Sequence, residues 1–280
     1  MKERITITLD SELIKQIDKR IDGNIIRNRS QQIEFLLTRS LGTYRPEKAV
    51  ILVGGKSRSN SKIPCSMLQV HGKTVMEHLF DLLKKYGIRD IILSVGHMKE
   101  KVKDYYGDGG KFSMSISYIE EEEKLGTAGP LRLVKDKLKD SFIVANGDDL
   151  KNLNIPRMFR LHKRKDALAT IALTTTADPS QYGVARMSGT RILEFAEKPK
   201  ADDEVSNLIN AGFYILEPEV IDMIPPGYSM LERDIFPKLA KQGRLRGFIT
   251  AGQWFDISIQ ERYEAAKKRW MGVNTYGEDE

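Results

Sequence analysis

Residues 3–9 alternate strictly, with Ile5, Ile7 and Leu9 on one side and Arg4, Thr6 and Thr8 on the other. That period predicts a half-buried strand. Behind Asp10, a good N-cap, Leu13, Ile14, Ile17 and Ile21 recur at helical spacing until Gly23. A second helix begins near Asn28, Arg29 and Ser30, turns Ile33, Leu36, Leu37 and Leu41 inward, and stops at Gly42. One strand and two helices in roughly forty residues can neither pair the strand nor close a core. A homodimer through this module is therefore predicted.

Beyond Pro46 the pattern changes. The apolar run 49–53 ends at Gly54-Gly55, as a buried parallel strand does where backbone must approach a ligand. A helix over 75–86, a strand over 90–95, a helix over 99–106, a strand over 114–119, a helix over 130–138 and a strand over 142–145 follow. This alternation predicts an α/β fold with a Rossmann-like mixed, mainly parallel sheet and ligands at the carboxyl ends of its strands. The organisation read from the chain is a first domain at 1–43, a linker at 44–48, a large domain at 49–271 and a tail at 272–280.

Composition narrows the class. At 280 residues with 40% hydrophobic and 30% charged positions the chain is ordinary for a soluble protein. It shows no membrane-spanning run, and the start MKERITITLDSE lacks a signal peptide's apolar stretch, so no membrane partner is expected. The single Cys65 cannot form an internal disulfide, which fits a cytoplasmic location. A net charge of +6 permits an anionic partner without demanding one. His71, His78, His97 and His162 show no metal-ligand spacing.

The candidate chemistry lies at strand ends. Backbone N–H groups beside Gly54 and Gly55 can point at phosphate oxygens, with Lys56, Arg58 and Lys62 nearby, although a plain turn with a solvated basic loop has the same appearance. Asp148 follows the strand 142–145, and Asp256 ends a later strand at 254–256. Carboxylates there suit Mg²⁺, which binds one or two of them together with substrate phosphates; singly, each reads as a turn or cap.

Two resemblances follow from these stretches. RITITLDSELIKQI with RNRSQQIEFLL, at 4–17 and 27–37, resembles the ribbon-helix-helix family of DNA-binding regulators. The resemblance implies that Arg4, Thr6 and Thr8 read bases of a double-stranded operator and that Asn28, Arg29 and Ser30 grip its phosphates. AVILVGG, GKTVMEH, EEKLGTAGPL, VANGDDL, DPSQYGV, FAEKP, NLINAGFYIL and WFDISIQERYEAA resemble, in order, the landmarks of sugar-phosphate nucleotidyltransferases, which join a nucleoside triphosphate to a sugar 1-phosphate. This second resemblance implies that Gly54, Gly55, Gly126, Thr127 and Ala128 meet the nucleotide. It places the sugar and its phosphate on Tyr182, Gly183, Glu197, Lys198, Asn210 and Gly212, and Mg²⁺ on Asp148 and Asp256.

The signature loop departs from that family. GG is followed by KSRSNSKI and Pro64-Cys65-Ser66, shorter than the family pattern, without its GTR triplet and with Cys65 in place of its lysine. Lys56, Arg58 and Lys62 remain as catalytic remnants. Cations that neutralise developing charge carry much of such catalysis. The expectation is a dimeric transcription regulator that senses a sugar nucleotide or sugar phosphate through a degenerate, weakly active or inactive domain. The alternative is an active sugar-1-phosphate nucleotidyltransferase with an appended DNA-binding module.

Overall fold

The computed structural model describes residues 5–21, 26–40, 45–54, 63–96, 98–200, 206–258 and 260–273. Two compact units emerge, Met1–Tyr44 and Arg45–Glu280. No described helix is long and apolar enough to cross a membrane.

The first unit holds α1 (Ser11–Asp18) and α2 (Arg29–Ser40). The Asp10 carboxylate accepts the Glu12 N–H at 2.8 Å and caps α1. Residues 5–10 form no strand, since a lone extended segment has no neighbouring edge to pair with. The expected phosphate grip is also engaged elsewhere. Arg29 makes a two-pronged pair with Asp18, at 2.6 Å from Nε and 2.7 Å from Nη2. Asn28 Oδ1 accepts the Gln31 N–H at 3.0 Å and so acts as a cap. Thr6, Thr8 and Ser30 are exposed, and Arg4 lies outside the described residues. Among the described residues of this unit Ile17 is the buried apolar side chain, while Ile5 is 71% exposed.

The second unit is built on a nine-stranded sheet. Its elements begin with β1 (Lys48–Leu52), the short pair β2 (Gln69–Val70) and β3 (Lys73–Thr74), α3 (Val75–Lys85), β4 (Asp90–Val95) and α4 (Lys99–Tyr106). They continue through β5 (Ser115–Glu120), α5 (Gly129–Arg132), β6 (Phe142–Asn146), β7 (Asp149–Lys151) and α6 (Ile155–Arg164). Next come β8 (Ala169–Thr175), β9 (Gly183–Ser188), β10 (Arg191–Glu197), β11 (Leu208–Leu216) and α7 (Glu219–Asp222). The last are α8 (Phe236–Lys241), β12 (Leu245–Ile249), β13 (Trp254–Asp256) and α9 (Gln260–Arg269). In space β5, β4, β1 and β6 are parallel neighbours. From β6 onward the pairings to β11, β8, β12, β10 and β9 are antiparallel except β8 with β12. The sheet is thus mixed, and the mainly parallel arrangement expected from the sequence holds for its first half.

Both faces of this sheet are covered, as the uninterrupted apolar run of β1 requires. Ala49, Ile51 and Val53 pack with Met76, Leu79 and Phe80 of α3 and with Ile155 and Met158 of α6. Val50 faces the other way, with Leu131, Val144, Val220, Phe236 and Leu239. A smaller cluster of Val70, Val75, Leu150, Ile257 and Trp270 takes in Cys65, whose side chain fills space rather than meeting solvent. Thr74 opens α3 with a reciprocal cap, its hydroxyl accepting the Glu77 N–H while the Glu77 carboxylate accepts its own. The helix expected over 130–138 breaks after Arg132 into a three-ten turn at Lys135–Lys137.

A buried polar cluster lies under β8. His162 bonds Thr170 Oγ1 at 2.8 Å and Glu217 Oε1 at 3.1 Å, and Glu217 also accepts from Lys163 at 2.7 Å and Ser141 at 2.9 Å. Burial opposes ionisation of Glu217, but the His162, Lys163 and Ser141 donors outweigh it and hold the carboxyl down to about 2. A carboxylate depressed in the fold adds stability above its unfolded pKa of ~4.3, and that stability is lost as the pH falls toward the folded value. The melting temperature should therefore drop steeply between about pH 4 and pH 2, and Glu217→Gln should flatten that decline while costing about 2 kcal/mol near neutrality. An acid limb identical in both proteins would contradict this assignment.

Candidate active site

The predicted residues of the second unit that are described lie on segments tied to one another by hydrogen bonds, beginning at the carboxyl ends of β1 and β6. Gly147 N–H donates to Leu52 O at 3.0 Å, which docks the turn after β6 on the end of β1. A Cβ on Gly54 would stand 2.9 Å from Glu121 Oε1. Glu121 is fixed there by the Ser94 hydroxyl at 2.6 Å and the Leu125 N–H at 3.0 Å. It follows directly on β5, a strand-end position that a search for strand-end carboxylates could have found. Gly55, Lys56, Arg58 and Lys62 lie outside the described residues.

Gly126, Thr127 and Ala128 cross the same end of the sheet. Gly126 has a φ of +77°, and a Cβ there would stand 2.3 Å from Ser229 O, so any side chain would collide with backbone. Ala128 N–H donates to that carbonyl at 2.9 Å. The Thr127 hydroxyl is fully engaged: it donates to Glu232 Oε2 at 2.5 Å and accepts the Leu231 N–H at 2.9 Å. Glu232 continues inward, accepting from the Tyr214 hydroxyl at 3.0 Å, and Tyr214 accepts from Asn210 Nδ2 at 2.7 Å. Asn210 Oδ1 takes the Gly212 N–H at 2.9 Å. One chain of hydrogen bonds, buried at Tyr214 and Glu232, thus runs from the residues expected at the nucleotide to those expected at the sugar. Asn210 serves it by shaping its own strand, at an irregularity in the β11–β8 register.

Glu197 and Gly183 are paired across β9 and β10, and a Cβ on Gly183 would lie 2.8 Å from Glu197 Oε2. Burial first, and then the neighbouring Glu232 carboxylate, raise the Glu197 pKa above the ordinary glutamate range. Lys198 is exposed and held at a φ of +51°, with its N–H on Tyr182 O at 3.0 Å. A non-glycine residue in that conformation is uncommon and costs strain.

The acidic residues come from a two-stranded ladder. β7 and β13 pair antiparallel with Asp149 opposite Asp256, and Asp148 immediately precedes β7. Asp256 Oδ2 accepts from the Tyr182 hydroxyl at 3.0 Å and from Arg262 Nη1 at 2.6 Å, while Oδ1 accepts the Ser258 N–H at 2.8 Å. Asp149 is a different kind of residue. It is buried against Lys151, and that burial pushes its carboxyl above the usual range, with Asp148 and Asp256 adding to the shift. Arg262 and Lys151 carried no sequence signal, because a lysine in a three-residue strand and an arginine in a polar helix look like solvated residues. A cavity of about 1040 Å³ beside α6 and β12 contains none of the predicted residues.

This frame has relatives. A UTP–glucose-1-phosphate uridylyltransferase of Synechocystis is 37% identical over 70% of this chain, and mannose-1-phosphate guanylyltransferase 1 of Arabidopsis thaliana is 34% identical over 77%. The chain spans 56% and 62% of their respective lengths. Among solved structures, HddC from Yersinia pseudotuberculosis in complex with GMP-PN superposes with a TM-score of 0.66 at 26% identity, over 79% of this chain and 98% of that one. The comparisons overturn the expected DNA-binding transcription regulator with a degenerate sensing domain. Relatives sharing the large span carry transferase names, and the first unit's expected DNA contacts lack support, with Arg29 held by Asp18. The family model described as nucleotidyl transferase matches residues 48–270, and the chain belongs to that family.

Proposed function

We propose that the second unit is an active sugar-1-phosphate nucleotidyltransferase. A phosphate oxygen of the sugar 1-phosphate attacks the α-phosphorus of a nucleoside triphosphate. The new P–O bond forms as the bond to the β-phosphate oxygen breaks, and pyrophosphate leaves. The observation that carries this reading is the hydrogen bond from Tyr182 to Asp256. It joins the strand pair that ends at Glu197, just before Lys198, to the ladder that bears Asp256 and directly follows Asp148. A surface suited to a sugar phosphate and a surface suited to a nucleotide's cation therefore share one wall.

The roles follow from the side chains. Glu197 can accept two sugar hydroxyls, and Lys198 offers a point cation to phosphate. Asp148 and Asp256 fit Mg²⁺ by donor chemistry, and Asp256 already holds a positive group at 2.6 Å. Among the described residues no group of three or more His, Cys, Asp or Glu could hold a metal; Mg²⁺ in general binds through one or two carboxylates together with substrate phosphates and water. Mg²⁺ bound there would neutralise charge on the triphosphate. Gly126 to Ala128 would border the nucleotide through backbone, since the Thr127 hydroxyl is engaged inward.

The test is pyrophosphate release by the full chain with Mg²⁺, each nucleoside triphosphate, and glucose or mannose 1-phosphate. Release that requires both substrates is expected; a folded protein releasing none with any pair would refute the reading.

The first unit leaves Ile5, Ile7, Leu13 and Leu37 exposed, and we propose that a second copy of this chain covers them. Light scattering should show a dimer for the full chain and a monomer for Leu13→Asp. A wild-type monomer at micromolar concentration would rule this out.

A further inference from the structure

The carboxylate expected to hold a metal is already paired with a cation of the protein. Asp256 Oδ2 accepts two donors, Arg262 Nη1 at 2.6 Å and the Tyr182 hydroxyl at 3.0 Å. A metal bonded to the same oxygen would need the space and lone pairs that these donors use, so guanidinium and metal compete for it. Arg262 is equipped to yield. It touches Asp256 through a single nitrogen, its side chain is 32% exposed against 17% for Asp256, and it projects from the first turn of α9. In the same conformation its guanidinium carbon lies 5.0 Å from the centre of the Tyr182 ring. Stacking on that ring can retain the cation once the carboxylate is occupied.

We propose that Arg262 is an exchangeable counter-ion: it neutralises Asp256 in the substrate-free protein, gives way to a divalent cation, and then presents its guanidinium from the Tyr182 ring to substrate phosphate. This rests on the reading of Asp256 as a metal ligand. It assigns to α9 a phosphate-facing cation in a protein whose signature loop lacks the patterned arginine. A planar guanidinium suits that task, since it can bind phosphate oxygens in pairs. The competing view is that Arg262 permanently ties α9 to β13.

Mn²⁺ binding to the substrate-free full chain, read from the paramagnetic resonance of free Mn²⁺, separates the two. Arg262→Gln should bind Mn²⁺ about tenfold or more tightly than the wild type, because a competing charge has gone from contact distance. Arg262→Lys, which keeps the charge, should stay much closer to the wild type. In turnover Arg262→Gln should raise KM for the phosphate substrates while needing less metal. Unchanged or weaker Mn²⁺ affinity in a folded Arg262→Gln protein would overturn the proposal. Should that variant fail to fold, the wild type labelled with ¹⁵N-arginine decides: the Arg262 Nε–H signal, identified by its loss in Arg262→Lys, should shift as Mg²⁺ is added. A signal unmoved at saturating Mg²⁺ would also overturn it. Asp256→Asn distinguishes the two levels of the argument. If it leaves Mn²⁺ affinity unchanged, the metal reading of Asp256 falls with the proposal; if it weakens Mn²⁺ binding while Arg262→Gln has no effect, only the counter-ion role falls.

Discussion

Asp148→Asn is expected to lower kcat/KM for pyrophosphate release by about 10³-fold or more, with little change in melting temperature. The amide keeps the size of the side chain and removes the charge that would bind a divalent cation at the end of β6. Asp148 is only partly buried, in the turn between β6 and β7, so the substitution leaves the core intact. The defect should be specific in its metal dependence. Turnover in the variant should need far more Mg²⁺ and recover only in part when it is supplied, because a cation held by Asp256 alone is poorly placed. A kcat/KM within about tenfold of the wild type at ordinary Mg²⁺ would remove Asp148 from the metal site. Asp149, its neighbour in sequence, gives the contrast: it is buried against Lys151, and its replacement should register in stability first.

That contrast shows what the sequence could and could not disclose. The doublet Asp148-Asp149 after an apolar strand reads as two equivalent carboxylates, and only the fold separates them, leaving Asp148 partly exposed in the turn and Asp149 buried against Lys151. The strands β4 and β6 and the helices α3 and α4 were legible because each has a clean period and a clear stop. Gly87 lies two residues past the end of α3 with a φ of +73°, and Gly107 follows directly on α4. The second half of the sheet was not. β8 through β12 include antiparallel strands whose partners are far apart in sequence, and long-range pairing leaves no local period to read. The resemblance marks Gly126, but the reason for a glycine there, the carbonyl of Ser229, is a contact between distant segments. The error about function had a related cause. The loop that departs from the family pattern is a short local feature, whereas the likeness to transferases extends over residues 48–270. In the first unit the polar trio and the helical spacing were real patterns. Arg29 nevertheless pairs with Asp18, a partner that no spacing rule would nominate.

Lys151→Met is expected to destabilise the fold by about 3–5 kcal/mol, the usual cost of removing one member of a buried ion pair. Lys151 is 3% exposed, and its ammonium donates to Gly212 O at 2.8 Å and Asn146 O at 3.1 Å and faces the Asp149 carboxylate. Methionine keeps most of the volume and none of the donors, so a carboxylate and two carbonyls lose their partner together. The double variant Asp149→Leu with Lys151→Met should recover at least half of the loss, since well-packed apolar groups can replace a buried pair whose desolvation is costly. Denaturant unfolding of the four proteins in the cycle measures both quantities, and a single-variant cost below about 1 kcal/mol would show that the pair is not ionic in the fold. Activity should not recover with stability. Gly212 sits at a φ of +63°, where a Cβ would meet Asn146 Nδ2 at 2.6 Å and Asp149 Oδ2 at 2.7 Å, so this bend of β11 is pressed against the ladder that carries the acidic pair. Lys151 ties the carbonyl of that bend to the end of β6. A double variant that is stable yet slow, with a raised Mg²⁺ requirement, would identify the buried lysine as a positioning residue for Asp148 and Asp256, whereas full activity in the stable double variant would confine it to the core.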